Sequence, residues 1–250
     1  MSGHSHWATI RRKKGAADAK RGQAFTRLAR EIAIAARGGA DPNNNFQLQL
    51  AVERARAQNM PKDSIERAIK RGSGEDKDGT VIEEITYEGY GPHGVALIIE
   101  CVTDNRNRSV SEIRHQLSRA GGSMAENGAV SWQFSRVAYF YFPASMLGFD
   151  KAFELAVENG ADDVTEDGDM IEIIGPVESF NTINRSLREA NVYPEESGLR
   201  MIPKQELELD VEHTLQVYRT IEGIEELDDV QDVYHNLKLS EEALAALEEE

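Results

Sequence analysis

Arg11, Arg12, Lys13 and Lys14 stand in a row near the start of the chain. Lys20 and Arg21 follow closely, and Arg27 and Arg30 continue the series. Trp7 precedes them all. Clustered cations do the chemistry of phosphate neutralisation, and a neighbouring indole face does that of base stacking. Trp7, Arg11, Arg12, Lys13, Lys14, Lys20, Arg21, Arg27 and Arg30 are therefore candidate nucleic-acid contacts. The competing reading makes the cations a solvated helix face and Trp7 a staple against neighbouring helices. The cation density within a chain of net charge −16 favours a polyanion.

A second candidate lies in "TDNRNRSVSEIRH", Thr103 to His115. Ser109 and Glu112 have capping-box spacing, so a helix is expected to open there, with Arg106 and Arg108 just ahead of it. Free N–H groups and the helix dipole favour an anion at such a position, and two guanidinium forks would complete a phosphate clamp. The alternative is that Arg106 or Arg108 pairs with Asp104 or Glu112 and only fixes the loop.

Other motifs carry less. Gly89 to Gly94 matches G-x-G-x-x-G, but it joins two strands and reads as a turn. Cys101 lies in the apolar run "VALIIECV" and reads as a core thiol. His4 and His6 lack further ligands at metal spacing, so no metal is expected. The acidic run Glu222 to Asp232 lacks an EF-hand pattern and reads as solvated surface. No catalytic constellation is found, and no enzyme activity or cofactor is expected.

These residues need a scaffold, and the apolar spacing supplies one. From Gln23 to Arg37, Phe25, Leu28, Ala29, Ile32 and Ala36 share one side of a helix. Lys20, Arg27, Arg30 and Arg37 share the other, with Ile34 an apolar intruder. Helices over Asn43–Asn59 and from Pro61 to Gly72 complete a three-helix bundle. "RGSGEDKDG" then reads as a linker. Strands at 81–90 and 95–103, a helix from Ser109 and a strand at 129–134 follow. Residues 137–202 next give β-α-β-β-α-β, the ferredoxin-like order. A closing helix at 211–221 and strand at 230–234 complete the earlier, interrupted unit.

The expected fold class is α+β: a helical bundle and two ferredoxin-like domains, one inserted in the other. The expected boundaries are a basic arm at 1–22, a helical domain at 23–78, an α+β domain at 79–135 plus 204–239, an inserted domain at 136–203 and an acidic tail at 240–250.

Charge divides the sequence as the motifs do. Met1 to Thr80 holds 16 Lys and Arg against 9 Asp and Glu, a net of +7, whereas Val81 to Glu250 holds 12 against 35, a net of −23. A basic head on an acidic body can orient a protein on a polyanion. One cysteine excludes an internal disulfide and suits a reducing compartment. No apolar run approaches the roughly 20 residues of a membrane span, and no signal-peptide core follows the early cations. A cytoplasmic location without membrane association is expected.

The strings "GHSHWATIRRKKGAADAKRGQAFTRLAREI", "MPKDSIERAIKRG", "YEGYGPHGVALIIECVTDNRNRSVSEIRH", "MIPKQELELD" and "DDVQDVYHN" together resemble the YebC/PmpR family, in order and over nearly the whole chain. His6 stands where that family commonly has lysine, and His93 where it commonly has glycine. The resemblance implies a helical N-terminal domain and two α+β domains. It also implies a probable transcriptional regulator that binds DNA in the cytoplasm. Other members of the family are described as translation factors acting on the ribosome, which would make ribosomal RNA the partner and relief of stalling at proline-rich stretches the role. A protein-binding scaffold is the remaining alternative.

Overall fold

The apolar spacing of the first third is realised as helices α1 (Asp18–Ala36), α2 (Phe46–Ala57) and α3 (Lys62–Ser73) in a computed structural model that describes residues 18–75 and 82–248. Ile32, Ala36, Leu48, Val52, Ala55 and Ile65 form their shared core, with Phe25 and Leu28 packed against it. α1 already includes Lys20 and Arg21, which the sequence reading assigned to the arm. α2 begins later than expected because the Asp41 carboxylate accepts from the backbone N–H of Asn43, at 3.0 Å, and from the side chains of Asn43 and Asn44. Asn45 then joins the two helices. Its Oδ1 accepts from the Leu48 N–H while its amide donates to Ala35 O at 2.6 Å and Gly39 O at 2.8 Å, satisfying carbonyls at the end of α1.

Gly72 does not end α3. The helix runs to Ser73 and is capped by Gly74 in the left-handed region at φ 79°. Gly72 sits where α3 crosses α1: a Cβ there would lie 1.9 Å from the Ala33 carbonyl oxygen. Ala33 and the half-buried Ile34 form a second apolar face of α1, packed with Ile82 and Val102. Ile34, the intruder on an expected polar face, is there because α1 is sandwiched between the bundle and the following sheet.

That sheet runs β3-β1-β2-β9, built from β1 (Glu83–Tyr90), β2 (Ala96–Thr103), β3 (Ser123–Ala125) and β9 (Val230–His235). β1 and β2 form an antiparallel hairpin pairing Glu83 with Thr103 and Tyr90 with Ala96. The connecting turn holds His93 at φ 60°, a conformation suited to glycine; its ring lies 3.8 Å from that of His213, and its Nε2 is 2.8 Å from Gln216 Oε1. Helix α4 (Arg106–Ala120) links β2 to β3, and α7 (Val211–Glu225) precedes β9. The expected strand at 129–134 is not formed. The buried Glu88 carboxylate accepts from Gly128 N at 2.8 Å and Val130 N at 2.7 Å, so those donors cannot serve a ladder. Residues 131–133 make a 3₁₀ turn instead.

β4 (Phe134–Pro143), α5 (Phe149–Glu158), β5 (Asp163–Asp167), β6 (Met170–Gly175), α6 (Phe180–Glu189) and β7 (Glu196–Pro203) make the ferredoxin-like unit, antiparallel throughout in the order β5-β6-β4-β7. Phe140, Phe142, Ile171, Ile173, Ala152, Ala156, Ile183 and Leu187 form its core. β8 (Leu207–Glu208) pairs in parallel with β10 (Leu237–Lys238). The expected acidic tail is instead helix α8 (Glu241–Glu248), with Ala243 and Leu247 buried. Among the described residues, 18–75, 82–130 and 212–233 form one compact unit, and 131–211 with 234–248 belong to the other.

Replacing Gly72 by alanine is expected to cost at least about 2 kcal/mol, because backbone must move to admit the methyl group. Gly22→Ala, where nothing lies within 4 Å, is expected to be neutral or stabilising by less than about 1 kcal/mol. Urea denaturation of the two variants checks the contrast.

Candidate nucleic-acid interface

The cations singled out from the sequence fall into three groups. Trp7, Arg11, Arg12, Lys13 and Lys14 lie outside the described residues. Lys20 and Arg21 lie in α1, and Arg27 is half-buried one turn before Arg30. Arg30, Arg106 and Arg108 can be followed atom by atom.

α4 starts four residues earlier than the capping-box spacing indicated. Asn105 is its N-cap, accepting from the Arg108 N–H at 3.1 Å, so Arg106 and Arg108 are in the first turn and not ahead of it. Ser109 is freed from capping and turns its hydroxyl inward, donating to Asp229 Oδ2 at 2.7 Å. An anion does sit beside this helix start, and it is the chain's own carboxylate.

Asp229 lies just before β9 and is 1% exposed. The Thr103 hydroxyl at the end of β2 donates to Oδ2 at 2.9 Å. Arg108 reaches it with both arms of its fork, Nη2 to Oδ1 at 2.8 Å and Nε to Oδ2 at 3.1 Å. Arg30 from α1 places Nη2 2.7 Å from Oδ1, is only 15% exposed and also donates to the Asp228 carbonyl. The backbone is held as well, since Val102 N donates to Asp229 O at 2.9 Å. A carboxylate offers about four lone-pair sites, and these donors use them all. Burial alone would raise the Asp229 pKa. The hydrogen bonds from Arg108, Ser109 and Thr103 and the charge of Arg30 outweigh it, holding the pKa below the ordinary aspartate value. Hydrogen bonds to Asp229 and Asp104 raise the Arg108 pKa further.

An open cleft of 460 Å³ lies over this network, lined by Arg30, Asp104, Arg108, Glu112, Glu226, Leu227 and Asp228. Two cations face four carboxylates, with Asp229 already neutralising the arginines, so the cleft repels phosphate. Arg106 is separate: it pairs on the surface with Glu83, and its carbonyl accepts from the Tyr87 hydroxyl at 3.4 Å. The alternative of internal pairing therefore describes Arg108, through Asp104 at 2.9 Å and the unforeseen Asp229.

Sequence reasoning missed Asp229 because it lies in an acidic run taken as solvated surface; the signal was its place directly before an apolar strand. It also passed over exposed cations of the bundle: Arg56 near the end of α2, and Lys62, Arg67 and Lys70 within "MPKDSIERAIKRG". Cys101 is buried, and burial pushes its pKa up to about 12, as a core thiol requires. Among the described residues no helix is long and apolar enough to cross a membrane.

Comparison with known proteins adds a lineage. Residues 5–75 match the model of the TACO1/YebC protein N-terminal domain, and residues 82–237 match that of the TACO1/YebC second and third domain. A relative from Chlorobaculum parvum is 48% identical, with 100% of both chains covered, and one from Bifidobacterium animalis subsp. lactis is 47% identical over 100% of both. One from Geotalea uraniireducens is 46% identical, with 98% of each covered. All three are called "probable transcriptional regulatory protein". The crystal structure of a conserved hypothetical protein from Aquifex aeolicus is similar at a TM-score of 0.82 and 38% identity, covering 90% of this chain and 93% of that one.

Asp229→Asn should destabilise the protein by about 3 kcal/mol at pH 7, because two arginines then face a neutral amide. The folded pKa of Asp229 lies below the unfolded one, so its stabilisation is complete above the ordinary aspartate value of about 3.9 and is lost as pH falls through the folded value. The gap between wild type and variant should stay constant from about pH 7 to 5 and narrow below about pH 4. Denaturant titrations at stepped pH measure it.

Proposed function

The chain belongs to the TACO1/YebC family, and on that footing we propose that it is a non-enzymatic regulator of gene expression that binds nucleic acid. The observation that carries this reading is the charge imbalance: +7 over Met1 to Thr80 within a chain of −16. The names of the relatives put transcription first, and the partner we propose for that role is DNA. Trp7, Arg11, Arg12, Lys13 and Lys14 supply the leading contacts, with Lys20, Arg21 and Arg27 behind them. The exposed Arg56, Lys62, Arg67 and Lys70 extend the footprint across the bundle. Arg106 joins it, since a surface ion pair such as that with Glu83 is exchanged for a phosphate at little cost. Arg30 and Arg108 remain with Asp229.

This footprint is rich in point charges and poor in Asn or Gln side chains presented to base edges. It suits recognition of backbone and shape, which a structured RNA provides as well as a duplex. A ribosome-associated translation factor is therefore the second reading, in the same cytoplasmic setting. For domains, the proposal keeps a helical domain over 23–78 and an α+β domain interrupted by 136–203.

Replacing Arg11, Arg12, Lys13 and Lys14 together by glutamine tests the shared premise. Affinity for duplex DNA and for a structured RNA is titrated against salt, and the log–log slope should fall by roughly 0.7 to 0.9 per lost contact. An unchanged slope on both ligands removes the arm from the interface. Steeper loss on one of them decides between the two readings.

A further inference from the structure

Helix α5 carries a surface that nucleic-acid binding leaves unexplained. Its inner face is fixed by Ala152 and Ala156, both fully buried. Turning outward, the next positions are again apolar: Phe153 and Val157 are about half exposed, and Met146 just before the helix is exposed to the same degree. Phe149 leads into this stripe, its ring 6.1 Å from that of Phe153. Single exposed apolar residues are ordinary, but a continuous stripe at i, i+4 and i+8 is a contact surface without its contact. Beside it, at the same spacing, runs a second stripe of exposed carboxylates, Asp150, Glu154 and Glu158. The neighbouring edge strand β5 adds exposed Asp163 and Glu166. Residues 144–167 hold seven Asp and Glu against the single cation Lys151.

We propose that this face docks a partner protein through a cationic amphipathic helix, whose apolar residues seat on Phe153, Val157 and Met146 and whose lysines or arginines meet Asp150, Glu154 and Glu158. Charge selects the occupant. Phosphate backbones and anionic lipid surfaces are repelled by the acidic stripe. A second copy of α5 would set carboxylate against carboxylate. A helix apolar on one side and basic beside it satisfies both stripes, as helix-in-groove recognition does.

The test uses the full-length protein and a fluorescent 18-residue peptide of leucine and lysine at amphipathic helical spacing. Two control peptides share its length: one with glutamate for lysine, one with the same residues scrambled. The amphipathic basic peptide should bind with saturation, and both controls more weakly. Phe153→Ser with Val157→Ser should weaken it by about tenfold, as should Glu154→Lys with Glu158→Lys. The second pair changes only solvated side chains, so it stands if the first disturbs folding. Nucleic-acid affinity should be the same in Phe153→Ser with Val157→Ser as in the wild type, which separates this surface from the basic footprint. Equal binding of the scrambled peptide, binding indifferent to both variants, or a wild-type dimer that Phe153→Ser with Val157→Ser dissociates in sedimentation would overturn the proposal.

Discussion

A carboxylate taken out of water must be repaid in hydrogen bonds and charge, and Asp229 is where this fold meets that requirement. The donors come from positions far apart in the sequence: Arg30 in the middle of α1, Thr103 at the end of β2, Arg108 and Ser109 in the first turns of α4. Each is fixed in direction by the element that carries it. Satisfying the carboxylate therefore sets α1, the β2–α4 junction and the entry to β9 at once. The apolar contact of Ala33 and Ile34 with Ile82 and Val102 lies alongside and contributes the non-directional part of the same attachment.

The network also sorts the arginines. A guanidinium committed to a buried carboxylate cannot be lent to a phosphate without leaving that carboxylate unpaired. Arg30 and Arg108 are in that position, whereas Arg106 and the cations of α3 are held only by surface interactions. A basic stretch read from sequence thus contains two populations, and burial of the partner is what separates them. The acidic side of the chain divides in the same way: Asp229 and Glu88 are structural, while Asp150, Glu154 and Glu158 remain in water beside an apolar stripe.

Much of the architecture was legible because it depends on local period. The apolar positions of α1, the β1–β2 hairpin and the β-α-β-β-α-β order all follow from spacing and turn residues. What was not legible depends on contacts between distant residues. Gly72 looks like a helix stop until α1 is seen crossing it, and Ile34 looks misplaced until Ile82 and Val102 lie against it. The segment 129–134 has strand composition, but Glu88 takes the N–H groups of Gly128 and Val130. Residues 241–248 have the composition of a solvated tail, yet Ala243 and Leu247 find a core. Of the candidate site, cation clusters could be read from the sequence; the carboxylate that claims two of the arginines could not.

Arg108 discriminates most directly between a phosphate contact and a structural tie. In Arg108→Gln, unfolding free energy and the salt dependence of nucleic-acid affinity would be measured on the same preparation. The account predicts a clear loss of stability, with the log–log salt slope for duplex DNA and structured RNA unchanged. A protein of wild-type stability whose slope falls by roughly 0.7 to 0.9, the value of one lost phosphate contact, would contradict it.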